Sequence, residues 1–376
     1  MWFRKAVAGS LAMLLALGLC APAVAGAGKT RLKNEPDRGI AAVNVPDVLP
    51  YVPGESPTTG LLVAEGAFLP VLVSIDQQGG RRIGSKRWGP QAKTYAIWGA
   101  QYADIVYESA SQRLKSGYTT RLAFVISDAL LNGQNVNVGP VRSVRPFHAV
   151  LREEWQGMLV YAGSMRRADL PEARKLDGLD NEMAFDCIRR RRDWAWRVKD
   201  IKAPANINAE ITAVRALAAP GMASFARPFL FGGAPMEGSL PDAAKVSLDW
   251  GSKTFQSSFR YDAQSGRYLR FVQGKPALSC QTPADSEGEQ MAFENVIIQR
   301  VRYEINDGVM ALPSFASVGG GNADIFTGGK YIAGYWMRAD EGARTVFLDA
   351  QGHEIRLKQG KMYIAHFLVE CEWTLE

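Results

Sequence analysis

Two arginines flank a serine in a segment suited to binding an anion. Arg142, Ser143 and Arg145 belong to the run Gly-Pro-Val-Arg-Ser-Val-Arg-Pro, which precedes apolar residues at helical spacing. We expect a helix over residues 143–156 with Ser143 as its N-cap and Pro146 in its first turn. Free N–H groups and the helix dipole favour an anion there, and guanidinium groups add forked donors for carboxylate or phosphate. The segment therefore predicts an anion-binding site.

Three further residues are expected to join this ligand-binding group. Arg121 lies on a strand predicted over residues 119–127, and Tyr161 and Ser164 lie at the end of a strand predicted over 158–162. A purely structural alternative also accounts for the pattern. In that alternative, the arginines pair with carboxylates inside the protein and fix the strand and helix geometry.

Asp104 and Glu108, in the strand-like run Ala-Asp-Ile-Val-Tyr-Glu, are the nearest candidate carboxylates. They would serve either as ion-pair partners of the arginines or as an acid and a base. Glycosidases need two carboxyl groups at a defined separation, so this pair is the catalytic alternative.

A second candidate patch combines arginines with tryptophans. It consists of Arg191, Arg192, Trp194, Trp196 and Arg197. Such a strip can stack on sugar faces and hold anionic groups. The alternative is a solvated basic loop whose tryptophans pack on the core.

Motifs for metals, nucleotides and acyl transfer are missing from the sequence. The three histidines, His148, His353 and His366, are too far apart for a local zinc motif, and neither a nucleophile elbow nor a Walker A loop occurs. Gly319-Gly320-Gly321-Asn322 lacks the dinucleotide pattern and is expected to be a flexible loop. We therefore predict neither a metal nor a cofactor.

The first 25 residues are typical of a secretory signal peptide. Arg4 and Lys5 precede an apolar stretch over residues 6–24, and Ala23-Val24-Ala25 offers a cleavage site. A retained membrane anchor and lipid attachment at Cys20 remain as alternatives. We expect an exported protein of the cell envelope or a secreted one, with membrane contact only through these alternatives.

Charge and cysteine content agree with that compartment. The net charge is +6, and loss of Arg4 and Lys5 lowers it by two. This mildly basic balance suits anionic polymers, and it does not indicate a nucleic-acid partner. Cys187, Cys280 and Cys371 would remain, either as three buried thiols or with a Cys280–Cys371 bridge.

The chain divides into four parts. After the signal peptide, residues 26–64 carry five prolines and are expected to form a flexible polar linker. Residues 65–220 predict a mixed α/β N-terminal domain, and residues 242–370 a smaller β-rich α+β C-terminal domain. A stretch rich in proline and glycine over 220–241 separates them. The fold class is therefore α+β.

Several segments together resemble the YerB lipoprotein family, also known as the domain of unknown function 3048. They are residues 103–108, 139–146, 161–164, 202–206 and the C-terminal run from Gly329 to Trp336. The resemblance covers about residues 65–370. It implies a bacterial envelope protein with two dissimilar α+β domains and carries over no established reaction.

Two departures from the family pattern matter. The family is often lipid-anchored, whereas Leu19 before Cys20 makes a weak lipobox. The family usually reads Pro-His-Asn where this chain has Pro204-Ala205-Asn206. If that histidine were catalytic, this chain would lack the activity.

Three functional hypotheses follow. The favoured one is a non-catalytic envelope protein that binds a peptidoglycan fragment, a wall polymer or a protein partner through the arginine site. The alternative is an enzyme that processes cell-wall glycans with paired carboxylates. The third makes the second domain a docking module with an exposed apolar patch.

Overall fold

Strands far outnumber helices in the described structure. The computed structural model describes residues 29–77, 81–85, 89–164, 183–189, 193–225, 228–232, 240–304, 314–315 and 317–376. The strands of the first half are β1 Thr30–Leu32, β2 Val71–Ile75, β3 Arg81–Ser85, β4 Gly89–Trp98, β5 Ile105–Leu114, β6 Gly117–Ile126, β7 Asn137–Val138, β8 Met158–Tyr161, β9 Ala184–Asp186, β10 Ala195–Arg197 and β11 Ile207–Glu210. The described α-helices are α1 Asp128–Leu131, α2 Pro146–Trp155 and α3 Ile211–Arg215.

The regular elements of the described second half are strands, apart from one 3₁₀ turn. They are β12 Lys245–Asp249, β13 Ser257–Asp262, β14 Arg267–Val272, β15 Lys275–Pro276, β16 Leu278–Cys280, β17 Glu287–Gln290, β18 Ala292–Phe293, β19 Asn295–Val301, β20 Tyr303–Glu304, β21 Ser314–Phe315, β22 Gly319–Thr327, β23 Lys330–Arg338, β24 Val346–Leu348, β25 Met362–Leu368 and β26 Glu372–Leu375. Short 3₁₀ turns occur at Ala100–Tyr102 and Lys253–Phe255.

One ten-stranded sheet joins the two halves of the chain. Its order is β24-β23-β22-β19-β25-β5-β6-β2-β8-β9, so each half contributes five neighbouring strands. The halves meet where β25 pairs in parallel with β5, with Ile364 opposite Tyr107. The two parts of the chain therefore share a continuous hydrogen-bonded sheet.

The central strands are apolar because both faces of this sheet are covered. Along β6, Ala123 and Val125 contribute to the core under helix α2, whereas Phe124 and Ile126 contribute to the core on the opposite face. This alternation follows from the two-residue period of a strand. The opposite face is covered by a second sheet of order β1-β26-β12-β13-β14-β15, with β18 paired to β14.

Smaller sheets complete the fold. Strands β16, β17, β3 and β4 close into a small barrel, β10, β11 and β7 form a three-stranded sheet, and β20 pairs with β21. The glycine-rich segment expected to be a flexible loop instead belongs to β22. A Cβ on Gly321 would lie 2.9 Å from the Arg300 carbonyl oxygen, so close backbone packing requires glycine there.

Helix α2 begins two residues later than its expected cap. Arg145, not Ser143, occupies the N-cap position with extended backbone angles, and Pro146 is the first helical residue. A residue before proline is restricted to extended conformations, which places the boundary here. The Arg145 N–H donates to Nδ1 of His148 at 3.0 Å, and the His148 N–H donates to the Arg145 carbonyl at 2.9 Å.

Residues 29–64, which we call the N-terminal strap, pack against the body of the protein. Strand β1 pairs with β26, and Nη2 of Arg38 lies 2.7 Å from the buried carboxylate of Asp324. Ser56, Thr58 and Thr59 are almost fully buried. The expectation of a flexible linker is therefore wrong for these residues, because their polar side chains find partners in the folded body.

The structure is more β-rich than the mixed α/β N-terminal domain expected from the sequence. It is mostly β-sheet, and the few helices remain compatible with a mixed α+β class. The signal-peptide prediction over residues 1–25 and Cys20 lies outside the described residues. Within the described ranges, no helix combines the length and apolar character needed to cross a membrane.

Cys187, Cys280 and Cys371 are buried, and no disulfide bond joins Cys280 to Cys371. The alternative of three buried thiols agrees with the structure. Among the described residues, no group of three or more His, Cys, Asp or Glu side chains is placed to hold a metal ion.

Candidate functional site

The loop before α2 lies between the ends of two central strands. The Arg142 N–H donates to the Ser74 carbonyl on β2 at 2.8 Å, and the Ala162 N–H after β8 donates to the Arg142 carbonyl at 2.9 Å. The Val144 N–H donates to the Gly163 carbonyl at 3.0 Å. Backbone bonds on both sides thus fix the direction in which the arginines of this loop leave the main chain.

Three guanidinium groups meet at this loop, and we call Arg121, Arg142 and Arg145 the arginine cluster. Nη1 of Arg121, from β6, donates to the Ser143 carbonyl at 2.7 Å. Arg145 donates from Nη1 to the same carbonyl at 3.5 Å and from Nε to the Ser111 carbonyl at 3.2 Å. The structure therefore brings together the three arginines that the sequence assigned to one site.

The cluster contains more positive than negative charge. Nε of Arg142 lies 2.9 Å from the Asp76 carboxylate, which follows β2. Asp76 is the single carboxylate paired with the cluster among the described residues. Asp76 is not among the site residues predicted from the sequence, although its position directly after a buried strand was a usable signal.

Burial and mutual repulsion disfavour the charged forms of the cluster. Arg121 and Arg145 are only 8% and 7% exposed, whereas the Arg142 side chain is 25% exposed. Burial, followed by repulsion from Arg145, lowers the pKa of Arg121 to about 9, and burial with repulsion from Arg142 lowers the pKa of Arg145 to about 10. Both side chains stay charged at neutral pH, so a positive field persists in a region of low polarity.

His148, in the first turn of α2, adds no charge to the cluster. Burial, followed by repulsion from Arg121, holds its pKa well below the ordinary value for histidine. Its ring stacks on Phe147 at 3.9 Å between centroids. His148 is therefore a neutral structural residue beside the arginines.

The other members of the predicted ligand-binding group differ in their surroundings. Ser143 contributes its backbone carbonyl, which also accepts a hydrogen bond from the Ser74 hydroxyl at 3.1 Å. Ser164 is partly buried and bridges to Val144 at the loop. Tyr161 lies in the core under α2, with 2% of its surface exposed. Burial removes Tyr161 from contact with a ligand.

Glu108 does not pair with the arginines because it lies on the other face of the sheet. Arg121 is opposite Ser109 in the β5–β6 pair, and successive residues of a strand point to opposite faces. The Glu108 carboxylate is fully buried and accepts hydrogen bonds from Thr120, Ser257 and Tyr363. It is thus part of the internal network between the two sheets.

Asp104 belongs to a different buried cluster. Its Oδ2 accepts hydrogen bonds from the Ser127 N–H and hydroxyl at 2.7 and 2.6 Å, and from the Thr58 hydroxyl at 3.0 Å. Burial, followed by repulsion from Asp128, raises the pKa of Asp104 to about 7. Asp104 and Glu108 are four residues apart along an extended chain, roughly 13 Å. Neither the burial nor the separation suits a glycosidase pair.

The described residues of the second candidate patch differ in their exposure. Trp194 is buried and packs edge-on against Phe185 at 5.9 Å, as the structural alternative predicted. Trp196 is 42% exposed, and Arg197 donates to Oδ1 of Asn206 at 2.7 Å. Arg191 and Arg192 lie outside the described residues.

The docking-module hypothesis required an exposed apolar patch on the second domain. In the described second half, Val318 is the one large apolar residue that is exposed. The remaining exposed ones belong to the strap and the first half. The described part of the second half therefore lacks such a patch.

Family models match both halves of the chain. The N-terminal domain of the protein of unknown function DUF3048 matches residues 90–223, and the C-terminal domain of the same family matches residues 246–364. This chain belongs to the DUF3048 family. The resemblance to the YerB family seen in the sequence is thereby confirmed.

A solved structure extends the DUF3048 assignment to the fold. The crystal structure of the YerB protein from Bacillus subtilis matches with a TM-score of 0.63 at 21% sequence identity, over 83% of this chain and 96% of that one. At this identity the match shows a common fold. No curated protein matches the sequence.

Proposed function

We propose that this DUF3048 protein is an exported cell-envelope protein that binds an anionic envelope ligand at the arginine cluster without catalysing a reaction. The ligand would be a peptidoglycan fragment or a wall polymer. One observation carries the proposal: Arg121, Arg142 and Arg145 converge on one loop, and Asp76 is their single paired carboxylate among the described residues.

The energetics of the cluster support an anionic ligand. Burying like charges together is costly unless opposite charge compensates them, and the lowered pKa values of Arg121 and Arg145 reflect that cost. The backbone carbonyls that accept their hydrogen bonds are neutral. A bound anion would supply the missing negative charge, and the N-terminus of α2 would add a favourable dipole.

Access to the cluster runs through Arg142. Its side chain is 25% exposed, whereas its two neighbours are fixed behind it by the Ser143 carbonyl. An arginine in this position can offer a fork of donors to a ligand while the inner arginines provide charge. This arrangement supports binding at the exposed side of Arg142.

The proposed location rests on the amino-terminal sequence. A charged start, an apolar stretch and the triplet Ala23-Val24-Ala25 are typical of a cleaved leader. Intact-mass analysis of the protein from the producing cell tests this directly. A chain that begins at Gly26 supports export by cleavage, and a chain that retains Met1 contradicts it.

Binding is tested with the protein that lacks residues 1–25. Purified cell walls, with and without their attached polymers, are titrated with wild type and with Arg142→Gln. Loss of one charge-assisted group should weaken binding about tenfold. Arg142 is preferred to Arg145 for this test, since the Arg145 guanidinium also bonds the Ser111 and Val144 carbonyls and its loss would disturb the loop.

Arg31→Gln is the matched control. The Arg31 side chain is 67% exposed on β1, and its 3.7 Å contact with Glu372 is a surface ion pair. This variant removes the same charge from the other sheet and should bind like wild type, with both variants melting near the wild-type temperature. Equal binding by Arg142→Gln and wild type would refute the proposed site.

A further inference from the structure

We infer that the arginine cluster selects a compact, doubly charged anion, namely a phosphomonoester, over singly charged carboxylates and phosphodiesters. This inference rests on the proposed function and names the chemistry of its ligand. It follows from the charge count, the direction of the donors and a buried donor without an acceptor.

The charge count leaves two positive charges to be matched. The charged and titratable groups that face each other here are Arg121, Arg142, Arg145, His148 and Asp76. His148 is neutral, so within the described part of the chain the three guanidinium groups face one carboxylate. A phosphomonoester carries close to two negative charges at neutral pH, whereas a carboxylate or a phosphodiester carries one.

The donors also come from three separate directions. Arg121 lies on β6, and Arg145 lies at the start of α2. Arg142 lies on the loop before α2, where that loop passes between the ends of β2 and β8. A phosphomonoester presents three acceptor oxygens in a tetrahedral arrangement, which suits three converging guanidinium groups. A planar carboxylate matches one fork at a time.

One donor of the cluster has no acceptor. Nε of Arg121 is buried and makes no hydrogen bond within the described structure, although Arg121 is more than nine-tenths buried. An orphaned buried donor is unfavourable, and native proteins rarely retain one without a reason. An oxygen of a bound phosphate would satisfy it after a small rotation of the side chain.

A preference for phosphomonoesters distinguishes among the wall polymers and fragments that could bind. The backbone of a wall polymer linked by phosphodiesters carries one charge per phosphate, so it should bind weakly. A terminal phosphate on a sugar or polyol should bind well. The site would therefore recognise an end group or a soluble phosphorylated fragment, in preference to the length of a polymer.

Calorimetric titration of the protein without residues 1–25 tests this with four small probes. Glycerol 3-phosphate is the monoester, dimethyl phosphate the diester, acetate the singly charged carboxylate and malonate the doubly charged dicarboxylate. At pH 7.5 we expect the monoester to bind about tenfold more tightly than either singly charged probe. At pH 5 its binding should weaken about tenfold, because its second pKa lies near 6.

Two variants assign the pH dependence and the selectivity. Arg121 and Arg145 stay protonated and His148 stays neutral from pH 5 to 7.5, and Asp76→Asn removes any contribution of that carboxylate. Asp76→Asn should therefore keep the pH dependence of monoester binding. Arg142→Gln should bring the affinities of the monoester and the diester together.

The outcomes separate this inference from the proposed function. Equal binding of monoester and diester overturns the inference, and retained binding of cell walls then leaves the proposed function standing. Malonate binding as tightly as glycerol 3-phosphate shows that charge alone is selected, which also overturns the phosphomonoester assignment. If neither the probes nor the cell walls bind, both proposals fail.

Discussion

Replacing Asp104 by asparagine should flatten the pH dependence of the protein's stability. Oδ2 of Asp104 accepts hydrogen bonds from Ser127 and from Thr58 of the strap, and no described donor contacts Oδ1. An asparagine can keep its carbonyl oxygen toward these donors with the same shape. The substitution therefore removes the titration while retaining the geometry.

The sign and size of the effect follow from the raised pKa. Burial and the Asp128 carboxylate raise the pKa of Asp104 from 3.8 to about 7, although Lys361 also faces the pair. The folded protein thus binds this proton more tightly than the unfolded chain, so its stability falls as pH rises from about 4 to about 7. At about 1.4 kcal/mol per pKa unit, the free energy of unfolding should drop by about 2.5 kcal/mol between pH 5 and pH 8.

Urea unfolding at pH 5, 6, 7 and 8 measures this for wild type and Asp104→Asn. The difference between the two proteins isolates Asp104, because His148, His366 and Glu35 contribute equally to both. Asp128→Asn is the second control. It removes the neighbouring charge, and the slope should become smaller without disappearing. The same slope in wild type and Asp104→Asn would refute the reasoning.

Two further predictions concern the strap and the thiols. Arg38→Ala should lower the free energy of unfolding by about 3 kcal/mol, because it removes the cation paired with the fully buried carboxylate of Asp324. Urea unfolding of the variant and of wild type measures this loss. A loss below about 1 kcal/mol would contradict a stabilising role of the ion pair. The three buried thiols should not react with a thiol reagent at pH 8 in the native protein, and all three should react in guanidinium. Burial shields the sulfur atoms, and it also raises the pKa of Cys187 and raises the pKa of Cys371 to about 12. Fast labelling of the native protein would contradict their burial.

Local patterns identified several strands of this protein and left their partners undetermined. The apolar run ending at Ile75 and the run over 361–369 correspond to β2 and β25. That β25 lies beside β5 could not be read from either segment, because apolar runs of this kind fit any neighbour in a buried sheet. The joining of the two halves is a property of long-range pairing.

The candidate site was predictable where residues are close in sequence or lie at strand ends. Arg142 and Arg145 share one loop, and Arg121 joins them through the β6 register. The face occupied by Glu108 required the register of β5 against β6, and a one-residue shift would have moved it to the arginines. Asp76 was overlooked because its pairing depends on the same three-dimensional meeting of strands.

The strap shows how composition can mislead. Its prolines and polar residues are typical of an exposed linker, and they exclude a regular helix. They do not exclude burial, since Arg38 donates to the Ala323 and Gly334 carbonyls as well as to Asp324. Partners that are almost 300 residues away in the chain cannot be identified from the sequence of the strap alone.

The pairing of β25 with β5 also governs the order in which the chain can fold. Ser109 and His366, which form a 2.8 Å hydrogen bond across this pair, are 257 residues apart. The first half therefore keeps an open strand edge until nearly the whole chain is available, and long-range closure of this kind is slow. Separate expression of either half would expose that edge to aggregation. A chain whose synthesis is complete before it folds would avoid the problem, because both strands would then be present to pair.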